Sequence, residues 1–138
     1  MQGTLSRVKF YSKGPIFREG DEGDVMYVIK SGKVKVTKNM YGIMVTIAEL
    51  GPGDYFGEMA LLEGTPRSAS ALAETQVEAE VLDREGLTER VASDPQFAFT
   101  VLRTMSHRLR QIDERLAELV AKGRLPQEEA MRLSPHMR

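Results

Sequence analysis

The chain has 138 residues and no cysteine, enough for one domain whose core takes roughly two thirds of the unfolded surface out of water, and without thiols it can hold no disulfide framework, zinc–thiolate site or thiol nucleophile. Nineteen basic residues against twenty acidic leave a formal charge of −1, which argues against nucleic-acid binding through a broad basic surface. No apolar run approaches the roughly 20 residues that cross a bilayer, so the expectation is a soluble chain without a membrane partner in a reducing cytoplasm.

Strand-like sequence begins by Val8. From there to Asp83 apolar residues alternate or come in short runs broken by glycine and proline, the pattern of a small sandwich or barrel. Strands are expected over Met26–Lys30, over Lys33–Lys38 with Val34 and Val36 on one face, over Met44–Leu50 and over Val77–Leu82. Gly32, Gly42, Gly51-Pro52-Gly53-Asp54 and Gly64-Thr65-Pro66 supply turns.

After Leu82 the period becomes helical. Ser93-Asp94-Pro95 reads as a helix start, an acidic cap followed by proline at the first helical position. The long helix that follows carries Leu102, Met105, Leu109, Ile112, Leu116 and Leu119, whose spacings of 3, 4, 3, 4 and 3 form a heptad seam. Gly123 ends it and Pro126 opens a short tail. The expected architecture is mostly β with C-terminal α: a small sandwich or barrel over residues 5–92, a long helix over 93–122 and a tail over 123–138.

The segment Gly51 to Ala71, GPGDYFGEMALLEGTPRSASA, carries the chemistry. Gly57-Glu58-Met59-Ala60-Leu61 reads as a short helical turn entered through a glycine, with free backbone N–H groups. Arg67 follows behind a Gly-Thr-Pro turn that can fold it back over that turn. Its guanidinium and the N–H groups are all donors, so together they suit a phosphate, and Ser68 adds a hydroxyl. A carboxylate such as Glu58 accepts hydrogen bonds and suits a ribose hydroxyl. A phosphate joined to a ribose is the implied ligand. The plain alternative is that Glu58 and Arg67 merely pair across a surface loop.

Phe56-Gly57-Glu58-Met59-Ala60-Leu61, followed after a short gap by Pro66-Arg67-Ser68-Ala69, resembles the phosphate-binding cassette (residues 56–69) of cyclic-nucleotide-binding domains, the superfamily of the catabolite activator protein and the regulatory subunit of protein kinase A. The resemblance extends through Phe17-Arg18-Glu19-Gly20-Asp21 and Tyr27-Val28-Ile29-Lys30-Ser31-Gly32 and on into the long helix, from about Ile16 to Leu119, and it implies a double-stranded β-helix, or jelly-roll, barrel followed by a long dimerisation helix. It implies that Glu58 binds the ribose 2′-hydroxyl, that Arg67 and Ser68 bind the cyclic phosphate, and that Gly57, the Met59 and Ala60 backbone and Ala69 line the pocket. It further implies Val36, Ile47 and Ala48 against the base from the barrel wall, with Ile112 and Asp113 approaching from the long helix. The implied ligand is cAMP, with cGMP the alternative; no catalytic residue, metal or cofactor is implied.

Transcription factors that share this cassette continue into a winged helix-turn-helix. Only fifteen residues follow Gly123, too few for that reader, so no direct DNA binding is expected of the chain as given. A metal-dependent jelly-roll enzyme would need histidines on barrel strands, whereas the two present, His107 and His136, fall in the long helix and the tail. Ser68 has no histidine beside it to act as base. The expected role is therefore a sensor coupling ligand binding to movement of its helix. The alternatives are a ligand-free homodimerisation or interaction module, and a regulatory fragment of a larger effector selective for cGMP. In a parallel homodimer, Arg108 at a g position would pair with the partner helix's Asp113 at an e position.

Overall fold

A computed structural model describes residues 6–135. Two antiparallel four-stranded sheets form the first of two compact units, which ends at Arg90. The elements run β1 (Ser6–Phe10), β2 (Pro15–Phe17), β3 (Met26–Ser31), β4 (Val34–Met40), β5 (Ile43–Leu50), β6 (Tyr55–Phe56), α1 (Glu58–Glu63), β7 (Ser70–Ala73), β8 (Val77–Leu82) and α2 (Arg84–Ser93). One sheet has the order β1-β8-β3-β6 and the other β2-β7-β4-β5. This is the jelly-roll arrangement, and each of the four strands expected from alternation is present within one or two residues of its expected limits.

The alternation decides which side chains close the space between the sheets. Ile29, Val34, Phe56, Ala71, Ala73, Val77 and Ala79 form the buried cluster, and Val8, Phe10, Ile16, Phe17, Tyr27, Val36 and Leu50 pack against it. Glu80 of β8 is buried, and its Oε2 accepts a 2.6 Å bond from Arg90 of α2. A partnered buried carboxylate of this kind holds a helix to a sheet, because removing either partner strands a charge.

On β4 and β5, Val36 pairs with Ala48 whereas Thr37 pairs with Thr46. Ile47 is thus the extra residue of a β-bulge, in which two residues of one strand oppose one of the other and the side chains are re-aimed.

In the second unit α3 (Pro95–Ala121) begins as its sequence expects: the Asp94 carboxylate accepts from the Phe97 N–H, and Pro95 takes the first helical position. No residue of this 27-residue helix is buried. The segment from residue 123 on, expected as a tail, instead contains a helix, α4 (Gln127–Leu133). Seven residues are too few to show a period. The local signals are Glu128 and Glu129 in its first turn and Arg132 in its last, which complement the helix dipole.

Candidate functional site

Arg67 organises the first unit's loops. Its backbone is clamped from both sides, since Gly20 donates to the Arg67 carbonyl at 2.8 Å and the Arg67 N–H donates to the Asp21 carbonyl at 2.8 Å. The side chain turns inward and is only 5% exposed. Its Nη1 donates to the Gly57 carbonyl at 2.9 Å, and Cζ lies 4.1 Å from the centre of the Phe17 ring, a cation–π contact. Its Nε is buried and has no hydrogen-bond partner among the described residues. Burial pulls the Arg67 pKa below its ordinary value, while Tyr27, Asp24 and Asp21 act in the opposite sense. Guanidinium stays charged under such a shift.

Gly23 and Gly57 make room for this cation. Gly57 has φ +82°, a left-handed conformation that other residues rarely adopt, and a β-carbon there would stand 2.8 Å from Nη1. Gly57 also starts α1, whose Ala60 and Leu61 are buried while Met59 is half exposed. Phe17 in turn belongs to a ring cluster, 5.9 Å from Phe56 and 6.2 Å from Tyr27, whose phenol is pushed up by burial. The face of Phe17 offered to the guanidinium is therefore fixed by core packing.

Ser68 lies outside this core and is exposed, its hydroxyl donating to Met59 Sδ at 3.8 Å. A second network secures its backbone: Lys38 Nζ donates to the Ser68 carbonyl at 2.6 Å and to Glu19 Oε2 at 3.3 Å, while Glu19 Oε1 accepts from the Asn39 N–H at 3.0 Å. The bond from Asn39 is the main reason the Glu19 carboxyl lies below the usual glutamate range, and Lys38 adds to it.

The cassette residues Gly57, Glu58, Met59, Ala60, Arg67, Ser68 and Ala69 thus come together on α1, the glycine that starts it and the loop before β7, with Glu58 half-buried at the first position of α1. Val36, Ile47 and Ala48 meet at the bulge, Val36 and Ala48 half-buried and Ile47 exposed. Ile112 and Asp113 lie on α3 in the second unit, where Asp113 Oδ1 accepts from the Ser134 hydroxyl at 2.5 Å. His107 is on α3, and His136 lies outside the described residues. Among the described residues no three His, Asp or Glu side chains are close enough to hold a metal ion, and no helix is long and apolar enough to cross a membrane.

Sequence reasoning did not single out Phe17, Gly20, Asp21 and Gly23 as the holders of Arg67, nor Glu19 and Lys38 as the anchor of Ser68. The available signal was the glycine–acid run Gly20-Asp21-Glu22-Gly23-Asp24, whose composition announces a turn without saying what packs on it.

Among characterised proteins, a CRP-like cAMP-activated global transcriptional regulator of Mycobacterium tuberculosis is 36% identical over 117 residues, 84% of this chain and 52% of that one. A cAMP-dependent protein kinase regulatory subunit of Aspergillus niger is 40% identical over 83 residues, 60% of this chain and 20% of that one. The crystal structure of the Thermus thermophilus catabolite activator protein superposes with a TM-score of 0.75 at 37% identity, over 84% of this chain and 55% of that one. The chain therefore spans about half the length of the bacterial relatives it matches. The family model of the cyclic nucleotide-binding domain matches residues 7–94, which takes in both sheets and the whole Arg67 site, and the chain belongs to that family.

Proposed function

We propose that this chain is a regulatory domain that binds a cyclic nucleotide, cAMP in the first instance and cGMP as the alternative, around Arg67, and that ligand binding is coupled to movement of α3. The observation that carries the reading is the buried guanidinium whose Nε has no partner. A buried donor left unpaired costs about 1–3 kcal/mol, and more when charged. A cyclic phosphate oxygen supplies both the acceptor and the counter-charge.

In this reading Arg67 and Ser68 hold the phosphate and Glu58 accepts from the ribose 2′-hydroxyl. Gly57, Ala69 and the backbone of Met59 and Ala60 line the pocket. Val36, Ile47 and Ala48 meet the base from the bulge, with Ile112 and Asp113 as further base contacts. The choice of cAMP is supported by bacterial relatives named for it in Mycobacterium and Thermus. Nothing in the chemistry of the site calls for a catalytic residue, because every proposed contact binds or positions. Coupling to α3 needs a ligand affinity that differs between two states of the helix, since a ligand shifts an equilibrium only by that difference.

Calorimetry with Arg67→Ala tests the reading. Losing the phosphate's buried partner weakens cAMP binding by about 2–5 kcal/mol, which is roughly tens to thousands of fold. A variant that binds within about threefold of wild type removes Arg67 from the site. A ligand-free interaction module is the competing reading. It predicts no thermal shift with cAMP, whereas ligand at about 100 times its dissociation constant adds roughly 2.7 kcal/mol to a binding domain.

A further inference from the structure

We propose that Met59 is an oxidation site through which peroxide lowers the affinity of the cassette for its nucleotide, an inference that rests on the cyclic-nucleotide reading above. Met59 is 46% exposed, although the two residues after it, Ala60 and Leu61, are each 3% exposed. Its thioether points out of α1 toward the cassette's hydroxyl: Sδ accepts from Ser68 Oγ at 3.8 Å. The chain contains no cysteine, so no thiolate of its own competes for peroxide and methionine is its only oxidisable sulfur.

The chemistry is a two-electron oxygen transfer. A sulfur lone pair attacks one oxygen of hydrogen peroxide, the S–O bond forms as the O–O bond breaks, and the departing hydroxide takes the proton from the transferred oxygen to leave as water. Thioether is oxidised to sulfoxide and peroxide is reduced to water. A dithiol-dependent sulfoxide reductase reverses the change, returning the oxygen as a second water while the dithiol becomes a disulfide.

The local consequence follows from the partner. Thioether sulfur is a weak acceptor and leaves the Ser68 hydroxyl available to a phosphate oxygen. Sulfoxide oxygen is a strong acceptor at the end of a polar bond, one atom closer to that hydroxyl. It holds the Ser68 proton and presents a partial negative charge on the side from which the phosphate approaches. Arg67, buried behind Gly57 and Gly23, is not reached. The loss is therefore that of one hydrogen bond to a charged group, about ten- to hundredfold in affinity, rather than that of the arginine.

The experiment treats wild type and Met59→Leu with graded hydrogen peroxide, maps sulfoxide by peptide mass spectrometry, and measures cAMP affinity before treatment, after it, and after repair with sulfoxide reductase and dithiothreitol. Met40, Met44 and Met131, exposed by 41%, 63% and 58%, serve as internal standards of reactivity. Expected are sulfoxide at Met59 at doses that modify those three, an affinity about ten- to hundredfold lower in oxidised wild type, recovery on repair, and no peroxide-dependent change in Met59→Leu relative to its own untreated value. The switch is overturned by a Met59 that stays unmodified while the standards oxidise, by oxidised wild type binding within twofold of untreated, or by an equal drop in Met59→Leu. Failure of untreated wild type to bind cAMP overturns the cyclic-nucleotide reading itself, and the switch with it.

Discussion

Gly23 lies against the guanidinium of Arg67 so closely that a β-carbon on Gly23 would stand 2.2 Å from Nε and 2.4 Å from Cζ. The contact cannot be relieved by a small shift, because Phe17 lies on the guanidinium at 4.1 Å and the Gly57 carbonyl accepts from Nη1. Gly23→Ala therefore drives the arginine out of its seat. Overpacking of this kind costs about 1–3 kcal/mol, which leaves the domain folded. Calorimetry should show Gly23→Ala losing most of the cAMP affinity that Arg67→Ala loses, with only a modest fall in melting temperature. Binding equal to wild type would mean that the phosphate site does not depend on this seat.

Glu19 supplies the pH dependence. Its carboxylate is held below the ordinary glutamate range by the bond from the Asn39 N–H and by Lys38, which also holds the Ser68 carbonyl. A carboxyl whose folded-state pKa is depressed adds stability above its unfolded value, and that stability is lost as pH falls through the folded value. Glu19→Gln is expected to melt below wild type at about pH 7, and the gap should narrow as pH falls through the depressed folded-state value and the Glu19 carboxylate takes up its proton. A difference in melting temperature that stays the same as pH is lowered would show that the Glu19 charge contributes nothing.

These two networks mark where the sequence stops being legible. The cassette could be recognised because its parts lie in one linear run: Gly57, Glu58, Arg67 and Ser68 fall within a single short stretch, and the turn through Gly64 is written in its composition. The α3 helix could be read because its cap and heptad are local. Gly23 against Arg67 joins residues 44 positions apart, and Glu80 with Arg90 joins a strand to a helix. No local period encodes either. The bulge at Ile47 was hidden for a different reason: an extra residue in a strand leaves the apolar composition unchanged and shows only as a register shift against β4. The helix α4 is too short for its seven residues to announce a face.

The seam of α3 leads to an association prediction. Leu102, Leu109 and Ile112 are 61%, 36% and 47% exposed, Met105, Leu116 and Leu119 are half-buried, and no residue of the helix is fully buried. We propose that a second copy covers this stripe as a parallel homodimer. Leu109→Glu places a charge in that seam and should give monomers by light scattering at micromolar concentration while wild type remains dimeric. A monomeric wild type removes the proposal.

Asp113 is the last test, because two roles are assigned to one carboxylate. Its Oδ1 accepts from the Ser134 hydroxyl just after α4, which ties the end of α4 to α3. A carboxylate has acceptor sites to spare after one such bond, so a contact with the base is compatible with it. Guanine offers two N–H donors on one edge and adenine only its amino group, so a carboxylate at the base favours cGMP relative to cAMP. Asp113→Ala should then do two things: speed amide exchange over residues 127–133, and change the ratio of cAMP to cGMP affinity by about 1–3 kcal/mol, the scale of a hydrogen bond to a charged group. Ser134→Ala removes only the first interaction, so it should loosen α4 and leave the ratio fixed. If Asp113→Ala also leaves the ratio fixed, its carboxylate serves the helix pair alone and the base is read by other residues.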